Sequence, residues 1–66
     1  MTIILNGQAH HLQEPYDLSS LLESLGLNKK PIIIEYNLEP LSKENWATTQ
    51  LKQGDKLEII TLAAGG

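Results

Sequence analysis

Two residues near the start of the chain, Asn6 and Gly7, commit its first dozen residues to a β-hairpin. They stand between extended runs at residues 2–5 and 8–12, and both central positions of a type I′ turn need positive φ, which Asn and Gly supply. The rest of the fold must then be built without covalent help. The chain has 66 residues and no cysteine, so disulfides, thiolate metal sites and thiol chemistry are all excluded. A chain of this size buries only about 60% of the surface its unfolded form exposes, which leaves one small domain of modest stability. Its hydrophobic content of 41%, led by leucine and isoleucine, is enough for a single core and argues against disorder.

Leucine spacing supplies the helix. Leu18, Leu21, Leu22 and Leu25 fall at i, i+3, i+4 and i+7, so a helix over residues 18–25 carries one leucine face. Asp17 suits its N-cap, Gly26 the left-handed position just past its end, and Leu27 the apolar residue that folds back. Two turns cannot stand alone and must lie on a sheet. Residues 32–37 and 57–62 read as further strands, the first rich in β-branched residues. Between them the pattern weakens: Pro40 and Ser42 interrupt it, Leu51 marks a short turn or edge strand, and residues 53–56 form a turn. One helix across one face of a mixed sheet of four to five strands, an α+β architecture, accounts for this order.

Strand parity divides the apolar residues between two faces. If Glu58 faces solvent, Leu57 and Ile59 face the helix while Ile60 and Leu62 share the open side. By the same reasoning Ile32, Ile34 and Tyr36 point inward and Ile33 outward with Glu35; Ile3 and Leu5 point inward and Ile4 outward. The open face then carries Ile4, Ile33, Ile60 and Leu62, a candidate docking patch leading toward the C-terminus.

The chain ends Ala63-Ala64-Gly65-Gly66. Glycine makes up roughly 7% of average sequence, so a terminal pair arises by chance in about 0.5% of chains. Without Cβ atoms such a tail passes through gaps closed to any side chain, and its terminal carbonyl carbon is unhindered. Four extended residues reach about 13 Å, enough to enter a deep active site while the body stays outside. A free α-carboxyl titrates near 3.3–3.7, so at neutral pH it is ionised and a poor electrophile until it is activated.

Composition and motifs remove other classes. A net charge of −3 with no arginine argues against nucleic-acid binding. Apolar runs such as Ile32-Ile33-Ile34 fall far short of the ~20 residues of a membrane span. The N-terminal residues lack the basic region and long apolar run of a signal peptide, so a cytoplasmic location is expected. His10 and His11 are consecutive in a strand, point to opposite faces, and should not chelate one ion; no metal site is expected. Trp46 is read as a lid over one end of the core, and Tyr16 and Tyr36 as packing residues with wet hydroxyls. Glu14, Glu23, Glu35, Glu39 and Glu44 show no acid–base spacing, and there is no serine–histidine arrangement or phosphate loop, so no catalytic residue is expected. Asp55 and Glu58 are candidates to meet basic groups on a partner, with solvated surface charge as the default.

Taken in order, Asn6-Gly7, Glu35-Tyr36-Asn37, Lys43-Glu44-Asn45-Trp46, Gly54-Asp55-Lys56-Leu57-Glu58-Ile59 and Ala64-Gly65-Gly66 resemble the ThiS family, the ubiquitin-like sulfur carriers of thiamin biosynthesis. The resemblance spans essentially the whole chain and implies a β-grasp domain over residues 1–62 with a flexible tail at 63–66. It implies that the Gly66 carboxylate is adenylated by an ATP-using E1-like enzyme, ThiF. Sulfur from a donor such as a cysteine desulfurase then makes a thiocarboxylate, and a thiazole synthase, ThiG, takes that sulfur for the thiazole ring. Ala63, Ala64 and Gly65 would thread the tail into those partners' active sites. The chain would be a co-substrate, with no bound cofactor and no catalysis of its own. One departure is Lys43, where such carriers often have arginine; the charge is kept and bidentate geometry lost. Alternatives are the related carrier of molybdopterin synthesis, a ubiquitin-like modifier joined to proteins through Gly66, and a β-grasp interaction module with an inert tail. The molybdopterin carriers tend to be longer and richer in aromatic residues before the tail, and this chain has no phenylalanine.

Overall fold

A computed structural model describes residues 1–62 and gives the expected hairpin its geometry. Strands β1 (Thr2–Leu5) and β2 (Gln8–His11) pair antiparallel with Leu5 opposite Gln8. Asn6 at φ 50° and Gly7 at φ 82° form the two-residue turn. Helix α1 (Leu18–Ser24) follows, capped by Asp17, whose carboxylate accepts from the Ser20 N–H at 3.0 Å and the Ser20 hydroxyl at 2.7 Å. These bonds, the hydroxyl's foremost, hold the Asp17 carboxyl below its ordinary range. At the other end Gly26, at φ 72°, donates to the Glu23 carbonyl and Leu27 to that of Leu22, the paired bonds of a Schellman cap. Leu18, Leu21 and Leu22 are buried, whereas Leu25 is the C-cap residue and exposed, so the leucine face ends one turn earlier than its spacing suggests.

Strands β3 (Ile32–Tyr36), β4 (Glu39–Pro40) and β5 (Lys56–Thr61) complete a five-stranded sheet in the order β2-β1-β5-β3-β4. Of the neighbouring pairs described, β1 and β5 run parallel and the other three antiparallel. The central strand is therefore the last one, and its C-terminal end delivers residues 63–66, which lie outside the described part together with the tail expected there. A helix on a mixed five-stranded sheet of this order is the β-grasp architecture.

The core is Ile3, Leu12, Leu18, Leu21, Leu22, Ile34, Trp46, Leu51, Leu57 and Ile59. Strand parity holds along β5 and at the centre of β3: Leu57 and Ile59 are buried while Glu58 and Ile60 are exposed, and Ile34 is buried while Ile33 is exposed; in β1 Ile4 and Leu5 are both half-buried. The weakly patterned segment holds two elements that its residues did not announce. Strand β4 is two residues long and contains Pro40, tolerated because this is a sheet edge. A 3₁₀ segment, Lys43–Thr48, then lays Trp46 over the core end. Between β3 and β4, Asn37 (φ 51°) and Leu38 (φ 73°) make a second type I′ turn. A leucine at the position that favours glycine is strained by about 1 kcal/mol or more, and Leu38 is also 78% exposed.

Asn6 does more than turn the hairpin. Its backbone N–H donates to the Leu57 carbonyl, and its side-chain Oδ1 accepts from the Ile59 N–H at 2.7 Å, extending the short β1–β5 ladder by one rung. Replacing Asn6 with Gly keeps the positive φ and removes only that rung. The expected loss is about 1–2 kcal/mol, read as a lower denaturant midpoint at unchanged slope.

Candidate functional site

Strand β5 is tied at its start, its middle and its end. The pin at its start is a polar cluster around Asp55, the buried charged residue of the described chain. Lys52 to Asp55 forms a tight turn closed by the Asp55 N–H on the Lys52 carbonyl, with Gly54 at φ 84° as its third residue. The Asp55 carboxylate accepts from the Tyr36 hydroxyl at 2.5 Å, the Lys52 N–H at 2.8 Å and Asn37 Nδ2 at 3.3 Å. Asn37 Oδ1 in turn accepts from the Lys56 N–H at 2.8 Å. Burial alone pushes the Asp55 carboxyl up, yet these three hydrogen bonds and the nearby Lys52 charge outweigh it and hold it below the usual carboxylate range. Burial, reinforced by the hydrogen bond to Asp55 and its charge, raises the Tyr36 hydroxyl to about 12.

This corrects two expectations. Asp55 is spent inside the domain and is not offered to a partner, and the Tyr36 hydroxyl is bonded to a carboxylate instead of being wet. The signal was present in Tyr36-Asn37 and Gly54-Asp55, but only the strand register brings residues 19 apart in sequence together.

At the other end of β5 the N–H of Leu62 donates to the Pro31 carbonyl at 2.9 Å, the last tie before the tail. The open face here carries Ile33, Ile60 and Leu62, each close to half exposed at 47, 50 and 46%. Ile33 and Ile60 are direct cross-strand partners. In the next row Glu35 lies directly opposite Glu58, a like-charge pair that costs the sheet stability. Ile4 stands apart from this group. It is half-buried, sits between Ala9 and Lys56, and Lys56 lies four residues, about 13 Å, before Ile60 along β5. The four isoleucine and leucine positions therefore do not make one contiguous patch; three do.

The two histidines sit on an edge strand, His10 opposite Ile3 and His11 opposite Thr2, and so on opposite faces. Among the described residues no group of three or more His, Cys, Asp or Glu side chains could hold a metal ion. Among the described residues no helix is long and apolar enough to cross a membrane.

The model of the ThiS family matches residues 3–66, all but the first two positions and through both terminal glycines. The chain belongs to the ThiS family. The fold agrees in detail. The crystal structure of the ThiS thiamine biosynthesis protein of Geobacter metallireducens superposes with a TM-score of 0.82 at 26% identity, covering all of both chains. The ycf40 protein of Porphyra purpurea is 36% identical over 66 residues, all of this chain and 93% of that one. A thiazole synthase of Paramagnetospirillum magneticum is 32% identical over the full length of this chain, which spans only 20% of that longer protein. The match thus takes in every strand of the sheet and, in the sequence, Gly65-Gly66 beyond its central strand.

Proposed function

We propose that the chain is a sulfur carrier for thiazole formation in thiamin synthesis and that the chemistry occurs on Gly66. The observation that carries the reading is the family match, which runs through Gly66, five residues in sequence beyond the end of the sheet's central strand. In the first step a carboxylate oxygen of Gly66 attacks the α-phosphorus of ATP in an E1-like adenylyltransferase of the ThiF type, and pyrophosphate leaves. The terminal sulfur of a persulfide derived from a cysteine desulfurase then attacks the acyl carbon and expels AMP, giving an acyl disulfide; a thiol reductant cleaves its S–S bond, is itself oxidised to a disulfide, releases the donor as its thiol and leaves the thiocarboxylate. A thiazole synthase of the ThiG type accepts that sulfur. The domain contributes presentation, not catalysis: a body anchored by Asp55 and Asn6, and residues 63–66 as the reaching segment. The thiazole synthase relative, which holds a similar segment within one longer chain, supports that partner class. Release of pyrophosphate on mixing the chain with ATP and its E1-like enzyme tests the first step; no release above the enzyme alone refutes it.

The docking face in this proposal is Ile33, Ile60 and Leu62 with the Glu35–Glu58 pair beside them. Exposed isoleucines and facing carboxylates both cost the isolated domain free energy, and a partner offering an apolar surface and a basic group relieves both. Replacing Glu58 with Lys separates the two roles. It turns repulsion into attraction and should stabilise the free domain by about 0.5 kcal/mol, while weakening binding to the activating enzyme several-fold. Calorimetry of the free chain and titration with the enzyme check both signs; unchanged affinity removes this face from the interface.

A further inference from the structure

We infer that the groove along the outer edge of β3 is a resting site for the chain's own C-terminal carboxylate. This rests on the reading above that Gly66 ends in a free carboxylate. The groove measures about 280 Å³, and its lining includes Lys30, Ile32, Ile34, Leu41, Lys43 and Trp46. In a chain of net charge −3 it gathers two of the five lysines and no carboxylate. Lys43 Nζ stands 6.0 Å from the centre of the Trp46 ring, and Trp46 Nε1 donates to the Leu41 carbonyl. The ring thus forms part of the wall beneath one of the two positive charges.

The backbone of β3 adds a slot for an extended segment. Leu62 N–H bonds to Pro31 and Asn37 N–H to Lys56, which fixes the phase of the β3–β5 ladder. With that phase Ile33 and Glu35 turn their backbone groups toward β5, and Ile32, Ile34 and Tyr36 turn theirs outward. Tyr36 pairs with Glu39, and the Ile34 carbonyl accepts from Leu41 N–H. Among the described residues nothing pairs with the outward N–H and C=O of Ile32, which open onto the groove.

The occupant follows from position and charge. Pro31, on whose carbonyl Leu62 ends the described chain, is itself part of the groove wall. From β5 across β3 to its outer edge is about two strand spacings, roughly 10 Å. Residues 63–66 reach about 13 Å when extended, and alanines and glycines suit so narrow a space. The carboxylate would there meet Lys30 and Lys43 in charge-assisted contacts that salt weakens. An activating enzyme must then draw the tail out of its own domain before adenylating it.

The test needs no partner enzyme. Two-dimensional ¹⁵N spectra of the chain are recorded through the α-carboxyl titration, about pH 3.3–3.7, beside the same chain with Gly66 as a carboxamide and beside a Lys30→Gln/Lys43→Gln variant. The expected result is that the Ile32 amide and the Trp46 indole N–H of the unmodified chain move with the carboxyl. The same signals should be still in the carboxamide and the double variant, and should lose the movement at high salt. Movement confined to residues next to Leu62, or equal movement in the carboxamide, overturns the proposal. So do shifts that grow with protein concentration, which would place a second copy in the groove. Failure to form a thiocarboxylate while Trp46 still responds would defeat the carrier reading and leave this site standing.

Discussion

Deletion of Gly66 should leave the folded domain unchanged and cut activation by about 100-fold or more. Among the described residues the core lies between Ile3 and Ile59, and a glycine has no side chain to add to it. What the deletion changes is where the reacting carboxyl sits. Removing one residue draws it back by about 3.3–3.6 Å, and a misplacement near 1 Å already costs about 10²-fold in a step that depends on alignment. Thermal unfolding of the truncated chain and its rate of ATP-dependent pyrophosphate release are the two readings. Full activity in the truncated chain would show that the chemistry is not on Gly66.

The second large effect belongs to Asp55. Changing it to Ala strips the acceptor from Tyr36 Oη, Lys52 N–H and Asn37 Nδ2 at once. Leaving that cluster without its charge costs about 3–5 kcal/mol. A domain of this size holds only about 3–10 kcal/mol in total, so the variant should be largely unfolded at 25 °C by circular dichroism. The same group sets the acid limb of stability. Because the folded-state carboxyl lies below its unfolded value, its contribution is complete above about pH 4 and is lost as pH falls through the folded value. Tyr36 acts at the other end. Its folded value of about 12 lies above the unfolded value near 10, so its contribution is present below pH 10 and fades as pH rises toward 12. In Asp55→Asn the acid limb should flatten, whereas the alkaline limb should move with Tyr36; an unchanged acid limb would mean that Asp55 does not control it.

Much of this architecture could be read from residue order. Asn6-Gly7 specified its turn because only two residues, both tolerant of positive φ, separate the strands. The alternation of Leu57, Glu58, Ile59 and Ile60 assigned each residue its face, and Asp17 and Gly26 marked both ends of the helix. The region from Leu38 to Gln53 was harder for physical reasons. Leu38 occupies a glycine-type turn position, so the second hairpin carries no turn signature. Pro40 interrupts a strand that tolerates it only because it is an edge. The Asp55 cluster depends on the β3–β5 register, which no local pattern encodes. The open face was half legible: parity put Ile4, Ile33, Ile60 and Leu62 on one side, but strand order decided that Ile4 lies at the far end of it beside Lys56. Asn6 was visible as a turn residue and hidden as a clamp, since its carboxamide meets a strand more than fifty residues away.

The most direct measurement is the intact mass of the chain after incubation with ATP, its E1-like enzyme and a cysteine desulfurase with cysteine and a reductant. A sulfur carrier gains the difference between one sulfur and one oxygen atom, fragmentation places that gain on Gly66, and the gain is lost on addition of a thiazole synthase with its other substrates. A mass that stays unchanged under these conditions, or a gain located anywhere other than Gly66, contradicts the proposed function.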